Sequence, residues 1–171
     1  QLKNPKNHKN IIDDYAKQIV KTDLLICPSN VTKNEIRTCF PTFKGRIEVI
    51  RPAINNVVAD KIKNINKENS VVFCSRTYKS KGYGEIPFIF GQLKKDIRID
   101  YISGFIDNNK VHEAFFKLCS DAEIKLVKHN RITEREKFLL MKACKFVFVP
   151  SRHEMLGTSI AEAKYLGIPV I

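Results

Sequence analysis

No apolar run in these 171 residues approaches the roughly 18–20 that a membrane-spanning helix needs, so neither a transmembrane segment nor a secretory signal is expected. Zinc-site spacing is absent as well. The five cysteines, at 27, 39, 74, 119 and 144, are scattered, odd in number and set mostly within apolar patterns. That usage fits reduced, buried thiols of a cytosolic protein rather than a disulfide framework or a metal site. The sequon Asn30-Val31-Thr32 carries no meaning in such a compartment. The chain also lacks any compact block of Lys and Arg, although its net charge is +12. Residues 1–67 hold 13 Lys and Arg against 6 Asp and Glu, and residues 68–171 hold 17 against 12. Without a helix-turn-helix pattern or an RNA-binding aromatic signature, nucleic acid is not expected as a partner. An anionic membrane surface, a phosphorylated substrate or a plainly solvated Lys- and Asn-rich surface each accounts for the charge.

What is present is a hydrophobic content of 43%, enough for one domain with a real core and part of another. Ile12, Tyr15, Ala16 and Ile19 fall at helical spacing, Asp23 to Cys27 reads as a short buried strand, and Asn30 to Phe40 as a helix closed by Pro41 and Gly45. Arg46 to Arg51 alternates until Pro52, and the polar residues 57–69 read as a linker or loose helix. Beyond them the pattern is strand Val71–Cys74, helix Ile86–Leu93 with Pro87 in its first turn, strand Ile97–Tyr101 ended by Ser103-Gly104, and helix Val111–Leu118. Strand Ile124–Val127 and a helix capped by Thr133 with Glu136 follow. Strands separated by helices of this length indicate a parallel sheet with right-handed crossovers.

Two stretches carry chemistry. Phe146 to Val149 reads as a buried parallel strand stopped by Pro150-Ser151; a polar loop, Gly157, a helix capped by Thr158 and a terminal Gly167 follow. A strand, a loop and a helix N-terminus together make an anion-binding arrangement, because unpaired N–H groups and the helix dipole face the loop. Glu154 and Glu162 frame it with seven residues between them, and carboxylates there suit the hydroxyls of a sugar or ribose. In the second stretch the strand Val71–Cys74 runs into a loop with Arg76 and Lys81 before Gly82. Taken alone these are surface charges; paired with the two glutamates they read as part of a site. His129-Asn130-Arg131-Ile132 lies at a strand's C-terminal end, where such sheets bind ligands, although His129 alone reads as an ordinary loop histidine.

The first stretch resembles the Glu-x7-Glu signature of retaining glycosyltransferases with the two-domain GT-B fold, most closely family 4, the glycogen-synthase-like group. Pro150, Ser151, Glu154, Gly157, Glu162, Ala163, Gly167, Pro169 and Val170 stand in register with it. Arg76, Lys81 and Gly82 match the family's F-x-G-R-L-x-x-x-K-G, with Ser75 where glycine is usual. Residues 22–36 and 46–55 are similar to the end of the family's N-terminal domain and its interdomain crossover, with Ala53-Ile54-Asn55-Asn56 replacing the usual glycine-containing turn.

The resemblance implies an α/β fold, a Rossmann-like parallel sheet flanked by helices, forming the C-terminal half of a GT-B enzyme. The expected organisation is 1–56 as the end of the N-terminal domain and crossover, 57–69 as linker, and 70–171 as an incomplete nucleotide-sugar-binding domain. The chain is thus expected to be a fragment. The resemblance further implies transfer of a sugar from a UDP-, GDP- or ADP-linked donor with retention, by front-face attack assisted by the departing phosphate, and with no metal. Arg76 and Lys81 would offset charge on the diphosphate, and Glu154 would hold the transferred sugar. Glu162 would hold the ribose, N–H groups around Leu156, Gly157 and Thr158 would meet phosphate, and Arg131 would lie near the base. The acceptor stays open, lipid-linked at a membrane surface or polysaccharide. The alternatives are a nucleotide-sugar epimerase or phosphorylase on the same fold, or a non-catalytic basic binding module.

Overall fold

A computed structural model describes residues 13–63, 65–76, 79–92, 96–103, 110–152, 154 and 156–171. Ile12, Leu93 and Gly104, placed above by pattern, lie outside the described residues. The chain divides into two compact units, one ending at Ala53 and the other running from Ile54 to Ile171.

The first unit holds α1 (residues 13–19), β1 (Leu24–Cys27), α2 (Asn30–Cys39) and β2 (Arg46–Val49). β1 and β2 pair in parallel, Leu25 opposite Ile47. The Ser29 hydroxyl caps α2 by accepting the Thr32 N–H at 3.1 Å. The core of this unit is small, centred on Cys27, Phe43 and Ile47. The expectation that β1 is a buried strand is therefore corrected: Cys27 is buried, but Leu24 and Ile26 are exposed. Strand side chains alternate, and within this unit only the Leu25/Cys27 face is covered.

The second unit is a four-stranded parallel sheet in the order β5-β4-β3-β6, built from β3 (Ser70–Cys74), β4 (Arg98–Ser103), β5 (Lys125–Asn130) and β6 (Phe146–Val147). Its helices are α3 (Asn56–Ala59), α4 (Ile86–Gly91), α5 (Lys110–Asp121), α6 (Glu134–Ala143) and α7 (Thr158–Tyr165). The pleat divides the strands' side chains between two cores. Val71, Phe73, Ile99, Tyr101 and Phe148 pack with Ile86 and Phe90 of α4 and Phe115 of α5. Val72, Ile102 and Val147 pack with Phe138 and Met141 of α6 and Ala163 of α7. Being covered on both sides explains why these strands read as near-continuous apolar runs. From the segment 57–69, Ala59 and Ile62 belong to the second of these cores.

Asp100 breaks the apolar pattern of β4 and is only 1% exposed. It accepts hydrogen bonds from Arg98 Nε at 3.1 Å and Nη2 at 2.9 Å, and lies 2.8 Å from His129 Nε2. A charge so buried persists only when paired in this way. β5 also runs farther than its apolar residues suggested, to Asn130, which makes His129 a strand residue engaged with Asp100.

α7 ends in a Schellman motif. Gly167 (φ 72°) donates to Lys164 O at 3.1 Å and Ile168 donates to Ala163 O at 2.8 Å. The chain then returns along the sheet, Val170 bridging Val147 in parallel.

All five cysteines are free thiols. Burial pushes the Cys119 thiol up to about 12 and that of Cys144 to about 11, whereas Cys39 is exposed. Labelling of the native protein with a thiol reagent at pH 8 should therefore modify Cys39 first. Cys119 and Cys144 should react only after denaturant is added, as peptide mapping of the labelled chain would record.

Candidate functional site

In a parallel sheet the free ends of neighbouring loops diverge where the strand order reverses, and the crevice opens there. In this sheet β4 and β5 lie on one side of β3 and β6 on the other, so the reversal falls between β3 and β6. The loops that leave these two strands carry Arg76 and Lys81, and Glu154, respectively.

The loops meet because Gly82 has no side chain. It adopts a left-handed conformation (φ 68°), and a Cβ there would lie 2.1 Å from the Pro150 carbonyl oxygen. Arg152 reinforces the contact: its backbone N–H donates to Ser80 O at 2.9 Å, and its Nη2 donates to Glu85 Oε1 at 2.8 Å. The consequence is that Lys81 Nζ donates to Glu154 Oε1 at 2.7 Å, with both side chains about a quarter exposed (26% and 27%). Arg76 stands exposed on the same loop as Lys81, two residues past the end of β3.

Glu162 sits one turn into α7, 13% exposed, and accepts a hydrogen bond from Lys137 Nζ of α6 at 2.6 Å. Beneath this pair, at the end of β3, lies Cys74. Burial pushes its thiol up to about 11; Glu162 adds to the rise and the Lys137 charge opposes it. A cleft of about 310 Å³ opens over the ends of β3 and β4, lined by Cys74, Ile102, Ser103, Arg131, Thr133 and Lys137 among others. Arg131 enters it from a left-handed position (φ 50°) in the turn after β5. Thr133 and Glu136 form the expected capping box at the start of α6.

One expectation about α7 is corrected. Its N-cap is Gly157 (φ 66°), and Thr158 is the first helical residue. The left-handed turn requires glycine, and a Cβ at Gly157 would press within 2.7 Å of the Ile160 side chain. Gly157 offers no capping side chain, so the N–H groups of the first turn face the loop that bears Glu154 and Leu156. His129 is tied into the sheet by Asp100, and its ring lies on the α6 side of β5. Lys137 was not found by motif. A lysine in a helix with other charged residues reads as solvent-facing, and its partner is 25 residues away. Among the described residues no three His, Cys, Asp or Glu side chains gather as a metal site would require.

The sequence profile of the group 1 glycosyl transferases matches residues 57–171, more than half of the chain, and the chain belongs to that family. No curated protein gives a significant sequence match. Solved structures similar to it are GT-B glycosyltransferases. Sucrose-phosphate synthase from Thermosynechococcus elongatus has a TM-score of 0.79 at 15% identity, over 99% of this chain and 46% of that one. Alr3699/HepE of Anabaena, in complex with UDP-glucose, gives 0.76 at 16% identity over 98% and 50%. A glycosyltransferase from Rickettsia africae gives 0.72 at 14% identity over 94% and 47%. The chain thus spans about half the length of these structures, and its second unit has the α/β architecture of the C-terminal half of a GT-B fold.

The loop contact can be tested by stability. Gly82→Ala should lower the unfolding free energy by about 2 kcal/mol or more, since the backbone conformation and the Pro150 carbonyl both oppose a side chain. Gly84→Ala, two residues on, has no atom within 4 Å of the added carbon and should change it by less than about 1 kcal/mol. Chemical denaturation midpoints of the two variants provide the comparison.

Proposed function

We propose that this chain is the donor-binding part of a metal-independent, retaining glycosyltransferase that uses a nucleotide-diphospho-sugar. The observation that carries the reading is the joining of two loops at the reversal of strand order. It sets Lys81 against Glu154, and Glu162 sits one turn into the helix that follows. Family membership supports sugar transfer, and the HepE structures, which are complexes with UDP and UDP-glucose, support a nucleotide-linked donor.

In this reading the diphosphate lies against Lys81, Arg76 and the N–H groups at Leu156, Gly157 and Thr158. Fixed cations and helix N–H groups stabilise negative charge that grows on a leaving group, without needing a metal to do so. Glu162 accepts from the ribose hydroxyls, and Arg131 lies toward the base from its place in the cleft. Glu154 accepts from hydroxyls of the transferred sugar and stabilises positive charge at the anomeric carbon as its bond to the phosphate oxygen breaks. The acceptor oxygen forms its bond on that same face while its proton passes to the departing phosphate, so the anomeric configuration is kept. Cytoplasmic work on a lipid-linked acceptor suits the charge of +12, which would hold the enzyme at an anionic bilayer; a polysaccharide acceptor suits the site equally. No helix among the described residues is long and apolar enough to cross a membrane.

Thermal unfolding with UDP, GDP, ADP and their sugar conjugates tests the donor. One nucleotide at a hundred times its Kd should add about 2.7 kcal/mol of stability, and Glu162→Ala and Arg76→Ala should each cut the effect by about half or more. Glu154→Gln should keep the stabilisation by the free nucleotide and lower kcat for transfer on the order of a hundredfold. A well-folded full-length protein that none of these ligands stabilises would overturn the reading.

A further inference from the structure

Glu162 does not stand by itself. Its carboxylate is nearly enclosed, and Lys137 Nζ of α6 donates to Oε1 at 2.6 Å. Lys137 is held firmly at its root. Its backbone N–H donates to the Thr133 carbonyl at 3.0 Å in the capped first turn of α6, and its neighbour Phe138 is wholly buried. Its ammonium lies 5.0 Å from the centroid of the Phe138 ring. It also lines the cleft with Cys74, Ser103 and Arg131. A carboxylate so enclosed needs hydrogen-bond partners for its oxygens. An ionised carboxylate has about four acceptor positions, so a bond at Oε1 leaves room for two further donors.

We propose that Lys137 is a positioning residue for recognition of the nucleotide's ribose. It fixes the rotamer of Glu162, so that the remaining acceptor positions meet the 2′- and 3′-hydroxyls of the donor. The inference rests on the donor-site reading given above and adds to it the residue that makes Glu162 selective. Lys137 acts through Glu162, not on the sugar being transferred. Its loss therefore removes discrimination between the ribonucleotide and its dideoxy form and leaves the contribution of the diphosphate contacts in place.

The experiment compares dissociation constants of UDP, GDP and ADP with those of their 2′,3′-dideoxy analogues on the full-length protein. The wild type should favour the ribonucleotide of its preferred base by roughly ten- to a hundredfold, the range for hydrogen bonds to a charged group. Lys137→Gln and Lys137→Met should reduce that ratio to within about threefold, and Lys137→Arg should retain most of it. The glutamine variant keeps a hydrogen-bond donor beside Glu162, so at least one neutral variant remains folded for the measurement. In a Glu162→Gln background, Lys137→Gln should have no further effect on the ratio. If a folded neutral variant keeps the wild-type ratio, Lys137 only ties α6 to α7, and the inference is overturned while the donor site stands. It is overturned equally if the wild type binds nucleoside diphosphates without distinguishing the dideoxy forms. Failure of the wild type to bind any nucleoside diphosphate overturns the donor-site reading and this inference with it.

Discussion

The close approach of Gly82 to the Pro150 carbonyl sets the spacing on which the candidate site depends. Two loops that leave adjacent strands at a reversal of strand order would otherwise diverge. Their convergence needs a residue without a Cβ and a backbone turned into the left-handed region, and only glycine meets both needs readily. From that contact follow the Ser80–Arg152 backbone bond, the Glu85–Arg152 pair and the meeting of Lys81 with Glu154. The pairing of Lys81 with Glu154 is thus imposed by steric fit one residue away.

The two glutamates are treated differently by the fold. Glu154 is on a loop, a quarter exposed and paired with a lysine from a neighbouring loop. Glu162 is on a helix, nearly enclosed and paired with a lysine from another helix. A group that must follow a reacting sugar through a change of shape is well served by the first setting. One that must recognise an unchanging ribose is better served by the second, where packing fixes its geometry. The seven-residue spacing is what allows one chain segment to supply both, because it spans the loop and the first turn of α7.

Much of the architecture could be read from the residues because covered strands and amphipathic helices differ in apolar period. Val71–Cys74 and Ile97–Tyr101 announced themselves as strands, and Thr133 with Glu136 announced the start of α6. The Glu154/Glu162 and Arg76/Lys81 stretches stood out because their residue types match a family signature at set offsets. What escaped was set by tertiary contact. Asp100 could not be assigned a buried position before Arg98 and His129 were known to surround it. Gly157 rather than Thr158 caps α7, because the positive φ outranks the capping preference of threonine. Leu24 and Ile26 are apolar and exposed, since nothing in their own unit covers that face.

The position of β5 at the end of the sheet gives part of the chain's charge a further use. A terminal strand offers unpaired N–H and C=O groups to any other strand that comes near, and two chains can join there into an unintended continuous sheet. Lys125 and Lys128 both stand exposed on β5, the ammonium of Lys128 lying 5.0 Å from the centroid of the Phe116 ring. An approaching copy of the same strand would set these lysines against their own kind. Like charges so placed oppose strand-to-strand joining, which gives part of the positive charge a role in the fold itself.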